Sequence, residues 1–303
     1  MMFHEGELRM QEEAGVLEPA RRVGGSIRDW IPEPAKAFLE EQPLIIAGAD
    51  AGDGRVWASP LCGEPGFLSA PDERSARIGA LLPPEDPLAA SVQPGLRVGL
   101  LAIEFATRRR MRLNGTVREV GEDGFTVGAE QVYANCPKYI QARIVEPAGS
   151  KSLAQRQSGD GLLIGRELTE RQAEWLSSAD TFFIATRHPR EGADVSHRGG
   201  PPGFIRVENR RTLRFPDYAG NAMFNTLGNL WSAPEAGLLF LDFERGDVLQ
   251  LTGRGAVEPT ADSRPAFAGA ERVVRFDVEE VRQWRGSLRW KWRFRGYSPF
   301  LPH

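Results

Sequence analysis

The sequence predicts a mainly β protein with short helices, laid out as two tandem copies of one small barrel or sandwich. Three observations carry this reading. Short apolar runs bounded by turn residues recur along the chain while helical periods are few, which marks a many-stranded fold. The two halves share one pattern about 137 positions apart: Gly63-Glu64-Pro65-Gly66-Phe67 returns as Gly200-Pro201-Pro202-Gly203-Phe204, and Ser59 falls on Ser196. With one residue inserted, Gly99-Leu100-Leu101-Ala102-Ile103-Glu104-Phe105 meets Gly237-Leu238-Leu239-Phe240-Leu241-Asp242-Phe243. So long a period signals a duplicated domain rather than a solenoid unit. Two copies of one domain pack naturally as a pseudo-dimer, and the seam between them is a usual place for a ligand.

The elements follow in order. Residues 1–34 form an N-terminal extension with a short helix over 7–14; Gly24-Gly25, Pro32 and Pro34 break any continuation. The first copy spans 35–145 and the second 169–303, with 146–168 as the linker. Each copy opens with a helix, 34–41 and 169–177, and Thr169 is an N-cap ahead of the apolar pair Trp175-Leu176. Buried strands follow at 44–47 and 182–185, with hairpin partners at 55–60 and 193–198. The clearest hairpin joins 238–243 to 248–252, where Gly246 supplies the permissive backbone of the turn. Its counterpart joins 100–105 to 110–114 through Ala106-Thr107-Arg108-Arg109. Trp290-Lys291-Trp292-Arg293-Phe294-Arg295 alternates aromatic and basic residues with strand period, as a half-buried strand or as aromatics covering a ligand.

Composition narrows the function. The 303 residues are 41% hydrophobic and 26% charged, as in a soluble globular protein with room for two domains. A net charge of −3 argues against general nucleic-acid binding, and no apolar run reaches the ~20 residues of a membrane helix. Cys62 and Cys136 form no C-x-x-C, and His4, His188, His197 and His303 have no metal-ligand spacing, so neither a disulfide framework nor a metal site is expected. The Glu-rich start lacks a signal peptide's apolar core, which makes the cytoplasm the expected compartment. Dinucleotide, phosphate-loop, zinc-protease and serine-hydrolase motifs are missing.

Two clusters stand out. Asp194-Val195-Ser196-His197-Arg198-Gly199-Gly200 places a hydroxyl, an imidazole and a guanidinium at a strand end beside glycines. Arg198 there is suited to grip a phosphate; the alternative is a turn with a surface charge and a satisfied histidine. Pro216-Asp217-Tyr218-Ala219-Gly220-Asn221 and Asn225-Thr226-Leu227-Gly228-Asn229 bring polar groups for the edge of a flat heterocycle, or form a short helix with Asn at its ends. The first copy has Pro84-Glu85-Asp86-Pro87-Leu88 at this place, so one copy holds most of the ligand and the other is scaffold. Instead it carries Arg108, Arg110 and Arg112 on one strand face, either an anion site or a solvated surface. In Asn135-Cys136-Pro137-Lys138-Tyr139, Cys136 reads as a packed thiol, and Lys138 adds a cation to the candidate site.

These blocks, together with Ser178-Ala179-Asp180-Thr181-Phe182-Phe183-Ile184-Ala185-Thr186, resemble the pyridoxamine 5'-phosphate oxidase-related, FMN-binding proteins. The resemblance covers residues 172–258 well and 36–145 as the paired copy. It implies two split β-barrels packed as a pseudo-dimer, with FMN, or alternatively FAD, a deazaflavin or haem, in the groove between them. It also implies a cofactor site of Ser196, His197, Arg198, Tyr218, Asn221, Thr226, Asn229, Arg108, Arg110 and Lys138. Tyr218 and Asn221 fall where the family has its phosphate-binding Tyr-x-Ser-Arg-Lys segment, but Gly220-Asn221-Ala222-Met223 holds no cation. The dianion is then left to Arg198, or to Arg108 and Arg110 reaching across. A flavin-contacting glutamine of the oxidase aligns with Arg110 and with Val248. The family's pyridoxal phosphate residues are not recognisable, so vitamin B6 oxidation is not supported. The expectation is a flavin-dependent oxidoreductase passing hydride to a small molecule, with no assigned acid–base catalyst. The alternative is a flavin- or haem-sequestering protein. Neither nucleic acid nor membrane is expected as a partner; a homodimer of pseudo-dimers stays open.

Overall fold

The computed structural model of the chain describes residues 2–147, 161–258 and 267–302. The first half holds helices α1 (Glu5–Glu13), α2 (Leu17–Gly24) and α3 (Glu33–Glu40). Strands β1 (Leu44–Asp50), β2 (Val56–Cys62), β3 (Leu68–Asp72), β4 (Ser75–Ile78), β5 (Arg97–Glu104), β6 (Arg109–Gly121), β7 (Gly124–Ala134) and β8 (Ala142–Pro147) follow. The second half runs β9 (Leu162–Gly165), α4 (Glu170–Ser178), β10 (Thr181–His188), β11 (Gly192–Gly199), β12 (Arg206–Asn209) and β13 (Thr212–Tyr218). Next come α5 (Asn225–Ser232), β14 (Glu235–Leu241), β15 (Val248–Val257), β16 (Ala270–Trp284) and β17 (Trp290–Gly296).

The two large sheets have one strand order. The first runs β2-β1-β5-β6-β7-β4-β3 and the second β11-β10-β14-β15-β16-β13-β12, which is the same order strand for strand. The registers correspond too: Ile46 faces Leu101 as Phe183 faces Leu239, and Gly48 faces Gly99 as Ala185 faces Gly237. Each sheet carries its own apolar core, one around Trp57 and Phe125, the other around Phe182, Phe215 and Phe240.

A third core lies between the halves and includes Ile46, Leu101, Phe105, Phe183, Leu239 and Phe243. Contacts across it are reciprocal. β5 meets β11 as β14 meets β2, and β1 meets β10. Gly99 lets β5 approach the backbone of Asp194, where a Cβ would stand 2.7 Å from its Cα. Gly237 does the same against Trp57, at 2.6 Å. Such an exchange of matching surfaces is the geometry of a two-fold dimer, here within one chain.

The expected helices form. Thr169 caps α4 with a capping box closed by Gln172, and α1 is capped in the same way by His4 and Glu7. The Glu244-Arg245-Gly246-Asp247 turn uses Gly246 at φ +77°, as expected. The corresponding turn of the first half uses Arg108 at φ +58°, which costs a side-chain-bearing residue roughly 1–2 kcal/mol. This corrects one expectation. Arg108 sits in the turn ahead of β6, so it does not share a strand face with Arg110 and Arg112. Only 161–168 and the start of the expected linker are described, and both ends carry paired strands: β9 lies on β16, and β8 pairs with β17. The last strand of the chain therefore lies on a strand of the first half.

Candidate functional site

A cleft of about 560 Å³ opens where β6 and the segment after β7 face β11, the end of β13 and the loop before α5. Ala14 and Val16, between α1 and α2, close one side. That volume lies within the range of small-molecule sites. Among the sequence-predicted residues, Arg110, Lys138, Ser196, His197, Arg198, Tyr218, Asn221 and Thr226 line it.

Arg112 builds the floor. It is 4% exposed, pairs with Asp194 at 3.0 Å, and donates to Ser196 Oγ at 2.6 Å, Val195 O at 2.9 Å and Tyr133 Oη at 2.6 Å. Asn225 Oδ1 accepts a further bond from it at 2.8 Å, and Asn225 in turn donates to Glu7 of α1. A fully bonded buried cation fixes geometry, and this one ties the first half, the second half and the extension together. Thr226 Oγ1 donates to Ser196 Oγ at 2.9 Å, completing the network.

Arg110 differs from Arg112. Its Nη1 bonds His197 Nδ1 at 3.2 Å and His197 O at 3.3 Å, its Nε is buried without a partner, and it has no carboxylate partner among the described residues. Burial, with Arg112 and Arg198 nearby, lowers its pKa to about 9, so it stays a cation at neutral pH. The same burial, followed by the charges of Arg110, Arg143 and Arg198, holds the His197 imidazole well below its ordinary value. His197 is therefore neutral. Its Nδ1 accepts from Arg110, which puts the ring proton on Nε2, a buried donor with no partner among the described residues.

Arg198 is engaged by Asp217, and its Nε lacks a partner among the described residues. Lys138 is half-buried, with Nζ 5.9 Å from the Phe300 ring and no carboxylate partner among the described residues. Tyr139 reaches across the cleft to donate to Ala219 O at 3.0 Å, and its ring lies 5.1 Å from that of Tyr218. Burial, then Tyr139, pushes the Tyr218 phenol up to about 12. Asn221 turns back on its own loop, accepting from Met223 N at 3.2 Å. Of the four non-glycine residues with positive φ among the described residues, Tyr139, Ala222 and Phe224 line this cleft, and such strain gathers at ligand clamps.

Two predicted residues lie elsewhere. Arg108 Nε donates to Ile140 O and its Nη2 to Tyr297 O, so it holds backbone rather than a ligand. Asn229 is buried behind the cleft and donates to Thr186 Oγ1 at 3.0 Å. In the sequence Arg112 has no more than a place in a row, Asn225 stands in a polar cluster without assignment to the site, and nothing marks Tyr133 or Glu7 as site residues. The available signal was Arg112 itself, a charge between the apolar Met111 and Leu113 in a buried strand.

His4, Glu5 and His188 also converge, with ligand atoms within 4.8 Å of one another. Their bonding does not suit a metal. Nδ1 of His4 accepts from Gly6 N, and Nδ1 of His188 accepts from Arg190 N and Glu191 N. Each neutral ring then carries its proton on Nε2, leaving no lone pair there for a metal. The stacked rings, 4.2 Å apart, instead seat α1 on β10.

Residues 168–285 match the family described as Pyridoxamine 5'-phosphate oxidase. Over that stretch, which lies wholly in its second half, the chain is similar to that family. No curated protein matches the chain. Among solved structures, a putative pyridoxamine 5'-phosphate oxidase of Lactobacillus delbrueckii aligns at 17% identity over 39% of this chain and 98% of its own, with TM-score 0.32. An FAD binding protein of Mycobacterium smegmatis aligns at 17% identity over 40% and 99%, with TM-score 0.28. An F420 reductase aligns at 14% identity over 37% and 95%, also with TM-score 0.28. The family match spans the second sheet with β11, β13 and α5, which supply Ser196, His197, Arg198, Tyr218 and Thr226. The first half brings Arg110, Arg112 and Lys138 to the cleft.

Proposed function

We propose that the cleft holds a flavin of the FMN type and that the chain is a flavin-dependent oxidoreductase. One observation carries this: Arg110, a cation lining a ligand-sized cleft, has no carboxylate partner among the described residues and a buried, unbonded Nε. A buried charge without a counter-ion is costly, and an anionic ligand relieves it. The residues fit such a cofactor. Arg110 and Lys138 would meet the phosphate; Arg198, already paired with Asp217, would add little. Tyr139 and Tyr218 offer aromatic surface, and His197 Nε2–H is a fixed donor. When bound, the flavin supplies hydride transfer between a reductant such as a nicotinamide and a small-molecule acceptor. The protein's part is to hold and orient the ring and to keep water away.

A non-catalytic flavin-binding role is the second reading, favoured by the neutral His197 and the high pKa of Tyr218, neither poised to release a proton near pH 7. Haem suits the cleft less well, because the His197 imidazole is committed to Arg110. The decisive experiment is an absorbance titration with FMN. Tight, stoichiometric uptake is expected, and Arg110→Ala should weaken it about ten- to a hundredfold, the loss of one charge-assisted contact. A chain that takes up no FMN ends the reading. Anaerobic NADH or NADPH then separates enzyme from carrier, since a carrier leaves its flavin oxidised.

A further inference from the structure

The shared strand order gives the sheet positions of the cleft a counterpart at the opposite seam. Arg110 and Arg112 correspond to Val248 and Gln250, and Ser196, His197, Arg198 and Gly199 to Ser59, Pro60, Leu61 and Cys62. Asn135 bonds Arg110 O across the β6–β7 pair, and Trp284 faces Val248 in the same place across β15–β16. We infer that only one of the two seams is a ligand cleft, and that the other is plugged by its own side chains.

The skeleton of the site survives at the plugged seam. Arg112 bonds Ser196, and likewise Gln250 Nε2 donates to Ser59 Oγ at 2.9 Å. Everything a ligand would need has been replaced. Gln250 Nε2 also donates to Ala58 O at 3.0 Å and Asp86 Oδ2 at 3.2 Å, and Ser59 Oγ donates to Asp86 Oδ1 at 2.7 Å. Where the cleft has the small Asn135, Trp284 lays its indole and donates to Gln250 Oε1 at 2.9 Å. Val248, 2% exposed, stands where Arg110 does, in one apolar cluster with Leu288, Trp292, Trp284, Trp290 and Cys62. Trp290 Nε1 donates to Gly63 O at 2.9 Å and seals the outer end.

The physical contrast is simple. Val248 and Trp284 gain by excluding water and collapse together, whereas Arg110 and Lys138 lose hydration on collapse and keep their seam open. The consequence is one ligand per chain, in a site whose two walls are not interchangeable.

The two cysteines report on the two seams. Both thiols are half-buried, but Cys136 lines the cleft, while Cys62 packs against the apolar plug, where desolvation pushes its thiol up to about 12. Native protein treated with iodoacetamide at pH 8, with sites mapped by mass spectrometry, should be alkylated at Cys136 at least tenfold faster than at Cys62. FMN, which enters only through the functional reading above, should saturate at one equivalent per chain and slow alkylation of Cys136. Equal alkylation of both cysteines, or two equivalents of FMN, overturns the inference. A chain that shows the thiol contrast yet takes up no FMN keeps the single open seam and discards the flavin reading.

Discussion

At the scale of residues, the site turns on two arginines two positions apart that do opposite work. Arg112 is saturated by protein groups; Arg110 is left for something else. Removing the first should damage the fold. Arg112→Ala leaves Asp194, 4% exposed, buried beside no cation, and breaking a buried pair from one side costs about 3–5 kcal/mol. A urea denaturation series should show that loss as a lowered midpoint, while Arg110→Ala should unfold near the parent midpoint and differ in flavin uptake. If the two variants lose equal stability, the division of labour is wrong. The sequence displayed both arginines on one strand face but not which was paired, because Asp194 and Asn225 are brought to Arg112 from the other half.

At the scale of elements, the N-terminal extension is part of the site. α1 crosses α5 where Gly6 meets Gly228; a Cβ on Gly6 would stand 2.2 Å from Gly228 O. Two titrating groups govern its seat, with opposite signs. His4 is pushed by burial, then by His188, from 6.5 to about 4, so its contribution is complete above 6.5 and lost as pH falls toward 4. Glu7 is pushed by burial from 4.5 to about 7, so its contribution is complete below 4.5 and lost as pH rises toward 7. The two slopes nearly cancel between about pH 4.5 and 6.5. Glu7→Gln leaves the His4 slope alone, and α1 should then be cut faster by a protease as pH drops from 6.5 to 4.5. A flat digestion profile in that variant would remove His4 from this role. The sequence indicated a helix here and a polar cluster at 216–230, but not their contact, since the two lie over 200 positions apart.

At the scale of the molecule, the halves are bound by a shared core and by the exchange of β17 onto β8. The whole should unfold in a single transition, with calorimetric and van't Hoff enthalpies in agreement. The first half expressed alone would expose Leu101, Ile103 and Phe105, which the second half covers, and should aggregate or bind a hydrophobic dye. Two separate transitions, or a soluble isolated first half, would argue for independent domains. Among the described residues no helix is long and apolar enough to cross a membrane.

What the sequence alone determined was local and repetitive. The α4 cap at Thr169, the Gly246 turn, the apolar strands and the correspondence of Gly99 with Gly237 could be read because each depends on neighbours in the chain or on a pattern written twice. The tertiary structure decided what the charges do. Arg108 left the expected row because its hairpin needed a left-handed residue and had no glycine there. Asn229 turned from the cleft to Thr186. Arg198 found Asp217, and Arg110 found no counter-ion among the described residues. A side chain's charge is written in the sequence, but whether it is neutralised depends on groups folded against it from distant segments, and only packing brings those together.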